Sequence, residues 1–248
     1  MEKIAIISEK GGSARTTTAI NLGSGLVRLG KAVLIIDMDP QGHATRSLGV
    51  EPNKGIYAVL RGELALTDTI IKRNGLSIIV SNPDLAGIEL EMSATPGREF
   101  ILKDALKGLK GHDVILIDCP PSLGLLTIMA LTAASGFLTP LPVEFLALDS
   151  IPKLMRTIGL VRENLNPGLG MIGILLTRVD QRKRLNREVI EQTREYFKDK
   201  VFKTVIRENV SIAEAPGLEQ SIFDYSPRSH GAADYAAFAK EFLGRLKK

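Results

Sequence analysis

Short unbroken runs of Val, Ile and Leu recur along the chain, at Lys3–Ile7, Ala32–Asp37, Leu76–Val80, Asp113–Asp118, Gly136–Leu141, Met171–Thr177 and Val201–Ile206. Runs of this length and composition predict strands buried on both faces. Between them, apolar positions return at helical spacing in Thr16–Leu29, Phe100–Leu109, Leu123–Ala134, Ser150–Asn164, Arg187–Phe197 and Tyr235–Leu246. Strand alternating with helix predicts an α/β fold: a doubly wound, mostly parallel sheet flanked by helices. No low-complexity linker, internal repeat or composition break interrupts residues 1–248, so a single domain is expected. Segment Glu51–Arg73 is the least patterned and reads as a surface excursion.

Composition narrows the class. At 248 residues and 44% hydrophobic, the chain has enough apolar side chains for a continuous core. No apolar run reaches the ~18 residues that cross a bilayer, and Met1 leads straight into a strand-like segment, so a cytoplasmic protein without a membrane role is expected. The single Cys119 excludes an internal disulfide and a multi-cysteine metal site, and three scattered histidines argue against zinc. A net charge of +4 permits contact with nucleic acid, although a solvated surface explains it as well. With no Trp and only 5% aromatic residues there is little to stack on bases, so a nucleic-acid partner would be held by its backbone.

After the first apolar run comes Ser8-Glu9-Lys10-Gly11-Gly12-Ser13-Ala14-Arg15-Thr16-Thr17-Thr18. A glycine-rich turn between a strand and a helix points backbone N–H groups at phosphate oxygens, and the helix adds its positive N-terminus. Against G-x-x-x-x-G-K-[ST], however, the chain fails at Glu9, Ala14 and Arg15. Taken alone, the loop is as well explained by a structural turn into a helix. Two further segments shift the balance. "VLIIDMDPQG" puts Asp37 and Asp39 at the end of one buried strand, and "HDVILIDCPPS" puts Asp118 at the end of another. Carboxylates leaving the carboxyl ends of parallel strands face the crevice where open α/β sheets bind ligands, and helix capping is a poor account of all three together.

These residues resemble the ParA/Soj family of chromosome and plasmid partitioning ATPases, relatives of MinD with a deviant Walker A loop of the form K-G-G-x-x-K-T-T. The likeness spans nearly the whole chain, through "KGG..RTTTAINL", "VLIIDMDPQGHAT", "DVILIDCPPSLGLLTIMALTA", "PVEFLALDSIPKL", "ILLTRVD" and "ENVSIAEAPGLEQSIFDYSPRSHGAADYAAFAKEF". It implies a P-loop NTPase-like fold with ATP and Mg²⁺ as cofactors. Lys10 matches the signature lysine that reaches a partner chain's ATP. Gly11, Gly12, Ser13, Ala14 and Arg15 would cradle phosphates, Thr16 would give its hydroxyl to Mg²⁺, and Thr17 would bond a phosphate. Asp39 matches the carboxylate that positions the attacking water, Asp37 and Asp118 those supporting the metal, and Asn209 the contact to adenine. The implied partners are a second copy of the chain on ATP binding, nonspecific double-stranded DNA and a ParB-like protein.

Departures from the family pattern cluster in the loop. Arg15 replaces a compact lysine with a wide planar guanidinium, so hydrolysis should suffer more than binding. Ala14 adds a methyl group where the family keeps the backbone bare, and Glu9 adds a negative charge where a neutral amide is usual. Elsewhere, Arg207 and Glu208 stand in place of a Pro-Arg pair, and Ser211, His43, Met129 and Pro142 also differ. Lost arginines put DNA binding in question, although Arg182, Lys183, Arg184, Arg187, Arg194, Lys198, Lys200 and Lys203 cluster around one helix. Such a cluster is more often a solvated face than a phosphate-contacting one. Two functions therefore compete: a partitioning switch with slow ATP hydrolysis, and a pseudo-ATPase scaffold or regulator with little or no turnover. In the C-terminal helix, Tyr235, Phe238, Phe242 and Leu246 form a stripe expected to pack on the core rather than on a membrane.

Overall fold

The structure, a computed structural model, describes residues 1–144, 151–180 and 182–246. Its strands are β1 (Glu2–Ile6), β2 (Val33–Asp37), β3 (Ile71–Arg73), β4 (Leu76–Ile79), β5 (Val114–Asp118), β6 (Gly136–Pro142) and β7 (Gly170–Thr177). They make a sheet in the order β3-β4-β2-β5-β1-β6-β7, parallel throughout except for the β3–β4 edge pair. The helices are α1 (Arg15–Arg28), α2 (His43–Ser47), α3 (Gly55–Leu60), α4 (Ile88–Glu91), α5 (Ile101–Ala105), α6 (Leu125–Ala133), α7 (Ile151–Asn164), α8 (Arg184–Phe197), α9 (Val210–Glu214), α10 (Ile222–Tyr225) and α11 (His230–Leu246).

Alternation along each central strand explains why the sheet needs cover on both sides. Ala5, Leu34, Ile36, Ile115 and Ile117 join one apolar cluster with side chains of α3, α5, α6 and α7. Their neighbours Ile4, Ile6, Val33, Ile35, Val114 and Leu116 join the opposite cluster with α1 and α11. A smaller third cluster ties β6 and β7 to α8 through Leu141, Ile174, Leu176 and Val189. Helix α1 lies close against α11: a Cβ on Gly25 would meet the Ala239 methyl at 3.0 Å. In α11, Tyr235, Phe238 and Phe242 are fully buried, and Leu246 packs partly buried against the same cluster. No helix among the described residues is long and apolar enough to cross a membrane.

Two expectations are corrected. Val201–Ile206 is not a ladder strand; it meets β7 through an isolated Ile174–Val201 bridge and through backbone bonds from Phe202 N to the Ile174 carbonyl and from Ile206 N to the Leu176 carbonyl, both 2.9 Å. The reason is local: the turn at Lys198–Lys200 delivers the chain at the edge of the sheet, where Arg245 donates to the Lys200 and Val201 carbonyls. Within Glu51–Arg73, the pattern concealed helix α3 and strand β3, the latter too short at three residues to show a period. Ser150, the expected first residue of the α7 helix, lies outside the described residues.

Candidate functional site

Strand order brings the loop and both carboxylate motifs together. β5 lies between β2 and β1, with Asp37 opposite Asp118 and Ile6 also opposite Asp118 in register. The loop Ser8–Ala14 leaves β1 beside them and enters α1, whose first turn carries no acidic residue. Gly11 and Gly12 would meet no heavy atom within 4 Å if given a Cβ, so bare backbone faces open space. Gly12 has φ 71° and Ala14 φ 68°. For alanine this left-handed conformation costs about 1–2 kcal/mol, a strain glycine does not carry.

Arg15 is nearly buried, at 8% exposed. Its Nε donates to the Cys119 carbonyl at 3.0 Å, and its Nη1 donates to the Ser8 carbonyl (3.0 Å), the Lys10 carbonyl (2.8 Å) and Ser13 Oγ (3.0 Å). The guanidinium is thus stapled to the loop and to the strand end after Asp118. No protein acceptor engages its Nη2 among the described residues, and Arg15 lines the cleft. An ammonium on a lysine stem has three donors at one point and could not span these acceptors in this way.

The three carboxylates are held differently. Asp118 Oδ2 accepts from Thr16 Oγ1 at 2.7 Å, while its Oδ1 is buried with no partner among the described residues. Both oxygens of Asp37 are taken, Oδ1 by Asp39 N (3.2 Å) and Oδ2 by Thr45 N (2.8 Å) and Thr45 Oγ1 (2.7 Å). Asp37 thereby anchors helix α2. Asp39 Oδ1 accepts from Gln41 N at 2.9 Å, and its side chain lines the cleft. Burial drives the Asp37 and Asp118 carboxyls above the ordinary carboxylate range, and Asp118 is pushed further by the facing Asp37. Two buried acids in register, one with a free oxygen beside a threonine hydroxyl, form a site short of positive charge. Hard oxygen donors of this kind suit Mg²⁺ completed by water and phosphate oxygens. Among the described residues no group of three or more His, Cys, Asp or Glu side chains forms a metal site by itself.

Lys10 does not lie over its own loop. Its Nζ donates to Glu144 Oε2 at 3.2 Å, and Arg178 Nη1 takes Glu144 Oε1 at 3.2 Å. Glu9 pairs with Lys153, so its charge is directed to α7. At the other end of the cleft, Asn209 caps α9, its Oδ1 accepting from Ser211 N at 2.9 Å. A cavity of about 1020 Å³ runs from Gly11–Thr17 to Asn209, lined also by Asp39, Ile206, Pro216 and Tyr235. That volume is ample for a nucleotide. Arg207 and Glu208 are paired with Asp234 and Lys183.

The basic candidates on the far rim are mostly engaged. Arg182 is bidentate on Asp180, at 2.9 and 3.0 Å, which holds that carboxyl down at about 2. Lys183 reaches Glu208 and Arg184 reaches Glu188, while no ion pair engages Arg187 among the described residues. Glu144 and Arg178, not singled out as site residues in the sequence, lie two residues beyond β6 and directly after β7. The rule that singled out Asp39 and Asp118, that residues leaving parallel strand ends face the crevice, points to both.

A family model described as an AAA domain matches residues 1–171, which include the loop, Asp37, Asp39 and Asp118. The sporulation initiation inhibitor protein Soj of Bacillus subtilis is 46% identical over 245 residues, covering 96% of each chain. The chromosome-partitioning ATPase Soj of Thermus thermophilus is 42% identical, covering 100% of this chain and 98% of its own. Among solved structures, the cobyrinic acid a,c-diamide synthase of Mycobacterium smegmatis with bound ADP and magnesium superposes with a TM-score of 0.88 at 35% identity, over 100% of this chain and 96% of its own. By its sequence identity over nearly full length, the chain belongs to the ParA/Soj family of partitioning ATPases.

Proposed function

We propose that the protein is a Mg-ATP-dependent switch for chromosome or plasmid segregation that dimerises around nucleotide, holds DNA without sequence preference and hydrolyses ATP slowly. The observation that carries this reading is the register pair Asp37–Asp118 with its buried, partnerless Asp118 Oδ1 beside Thr16 Oγ1. Two buried acids facing each other in register, each raising the cost of charging the other, are hard to account for unless a cation completes the site. The names of the relatives, and the ADP and magnesium in the Mycobacterium structure, support the same assignment.

In this reading the amides of Gly11–Arg15 and the N-terminus of α1 hold the phosphates, and Thr16 with Asp118 holds Mg²⁺, which when bound neutralises phosphate charge. Asp39 Oδ2, the oxygen not engaged by Gln41 N, orients the attacking water. Asp37 keeps α2 and the Asp39 turn in place through Thr45. Asn209 offers its Nδ2 to the base while Oδ1 caps α9. Arg15 Nη2 supplies charge to the phosphates, but the bonds at Nε and Nη1 prevent the guanidinium from following charge as it develops. Binding survives and turnover is slow, because rate depends on interactions that tighten in the transition state. The protein would work in the cytoplasm, on the nucleoid, with a ParB-like partner, as one domain over residues 1–248.

The bonds of Arg15 to the Ser8 and Lys10 carbonyls also favour a second reading, a pseudo-ATPase whose loop is closed by its own side chain. Calorimetric titration with ATP, with and without Mg²⁺, and single-turnover hydrolysis with and without duplex DNA separate the two. Mg²⁺-dependent binding with measurable turnover supports the switch. Absence of binding at millimolar nucleotide overturns it in favour of the scaffold.

A further inference from the structure

Glu144 holds two cations with one carboxylate. Its Oε2 accepts from Lys10 Nζ and its Oε1 from Arg178 Nη1, both at 3.2 Å. Lys10, and after it Arg178, draw the Glu144 carboxyl below the ordinary carboxylate range. Of the acids next to these cations along the chain, Glu9 pairs with Lys153 and Asp180 with Arg182. One negative charge is therefore left for two positive ones. Among the described residues, neither the Lys10 nor the Arg178 side chain has a second partner.

The backbone fixes this arrangement. Val143 N donates to the Thr177 carbonyl at 3.0 Å, and the Val143 carbonyl accepts from Asn186 Nδ2 at 2.8 Å, so the β6–β7 pairing runs past both strands and seats Glu144 beside Arg178. Beyond Arg178 the chain changes partner. Val179 N donates to the Ile206 carbonyl, and Glu208 N donates to the Val179 carbonyl, each at 3.0 Å. The change of direction leaves Arg178 at φ 53°, a left-handed turn that glycine makes freely and asparagine makes at little cost. An arginine there is strained, and strain of this kind gathers at functional sites. The Arg178 side chain lines the nucleotide cleft.

We propose that Arg178 is a positioning residue for Lys10: by occupying Glu144 Oε1 it loosens the hold of Oε2 on the lysine and readies it to leave for the nucleotide phosphates of a second copy of the chain. The inference rests on the dimerising part of the proposed function. A phosphate and Glu144 compete for the charge of one ammonium. A carboxylate that serves a second cation binds the first less tightly, and the like charge of Arg178 repels Lys10. Once Lys10 has left, Glu144 still keeps a cation through Oε1.

The test is a double-mutant cycle on the full chain in saturating Mg-ATP, read as the protein concentration at which half sediments as dimer. Arg178→Asn is expected to raise that concentration about two- to five-fold, the weight of one exposed ion pair. Arg178→Lys, which keeps the charge, stays near wild type. In a Glu144→Gln background Arg178→Asn has no further effect. Because asparagine tolerates the left-handed turn, the melting temperature without nucleotide holds or rises while dimerisation weakens. An unchanged or lower half-dimer concentration in Arg178→Asn overturns the inference. So does an effect that persists in the Glu144→Gln background, which would place Arg178 directly on nucleotide, and so does a melting temperature that falls in step with dimerisation, which would make its role structural. Wild-type protein that binds Mg-ATP and stays monomeric at every concentration overturns the dimerising reading itself.

Discussion

Arg15 Nη1 lies 2.8 Å from the carbonyl oxygen of Lys10, so the residue that departs most from the family pattern binds the backbone of the residue that most defines it. Four bonds in all fasten this guanidinium to the loop and to Cys119. Exchanging Arg15→Lys removes most of them and leaves buried carbonyls short of donors. Unfolding free energy without nucleotide is expected to fall by about 1–3 kcal/mol. Steady-state hydrolysis should rise roughly tenfold, worth about 1.4 kcal/mol in the barrier, as a mobile ammonium reaches the phosphates. A variant that gains no turnover would show that the fastening of Arg15 does not limit the chemistry.

Ala14 adopts φ 68° and ψ 28° at the entrance to α1. Ala14→Gly relieves the left-handed strain, partly offset by the greater freedom of glycine in the unfolded chain, for a net gain of about 0.5–1 kcal/mol. For a chain of this size the melting temperature should rise by roughly 1–4 °C without nucleotide. Lower stability in the variant would place the left-handed turn under control of some contact made by the alanine methyl group.

Much of this architecture is legible in the sequence, for a physical reason. Strands buried on both faces, such as Val33–Asp37 and Val114–Asp118, need unbroken apolar runs, and their ends mark the cleft wherever an aspartate follows. What the sequence hides is the commitment of a side chain to partners distant along the chain. Asp37 is occupied by Thr45, and Arg15 by Cys119, 104 residues away. Lys10 meets Glu144 only because β1 and β6 are neighbours in the sheet. The basic cluster around α8 looks uniform as a string, and only the fold separates its paired from its unpaired end. Val201–Ile206 has the composition of a strand but meets the sheet at an edge already shaped by Arg245.

Asp118 carries a carboxyl that burial and Asp37 push above its ordinary range. The folded value lies above the unfolded one, so the stabilisation is complete below the unfolded value of about 4 and is lost as pH rises through the folded one. Thermal unfolding of the nucleotide-free protein should therefore show stability declining from mildly acidic to mildly alkaline pH. Asp118→Asn should flatten that decline and raise the melting temperature at alkaline pH, while removing the Mg²⁺-dependent part of ATP affinity. A variant that kept full Mg²⁺ dependence would exclude Asp118 from the metal site.

Lys10 and Glu144 form an exposed pair, 37% and 44% accessible, so their link contributes little to folding. Lys10→Ala should leave unfolding free energy unchanged to within about 0.5–1 kcal/mol. If Lys10 serves a partner chain's nucleotide, the variant binds Mg-ATP as a monomer with near-normal affinity and does not dimerise when sedimented with it. Glu144→Gln removes the charge that parks Lys10 and should lower the protein concentration needed for nucleotide-dependent dimerisation by several-fold. Should Lys10→Ala instead lose monomeric ATP affinity and leave dimerisation in proportion to bound nucleotide, the lysine acts on its own loop. Glu144 would then hold it within reach of that loop rather than away from a second chain.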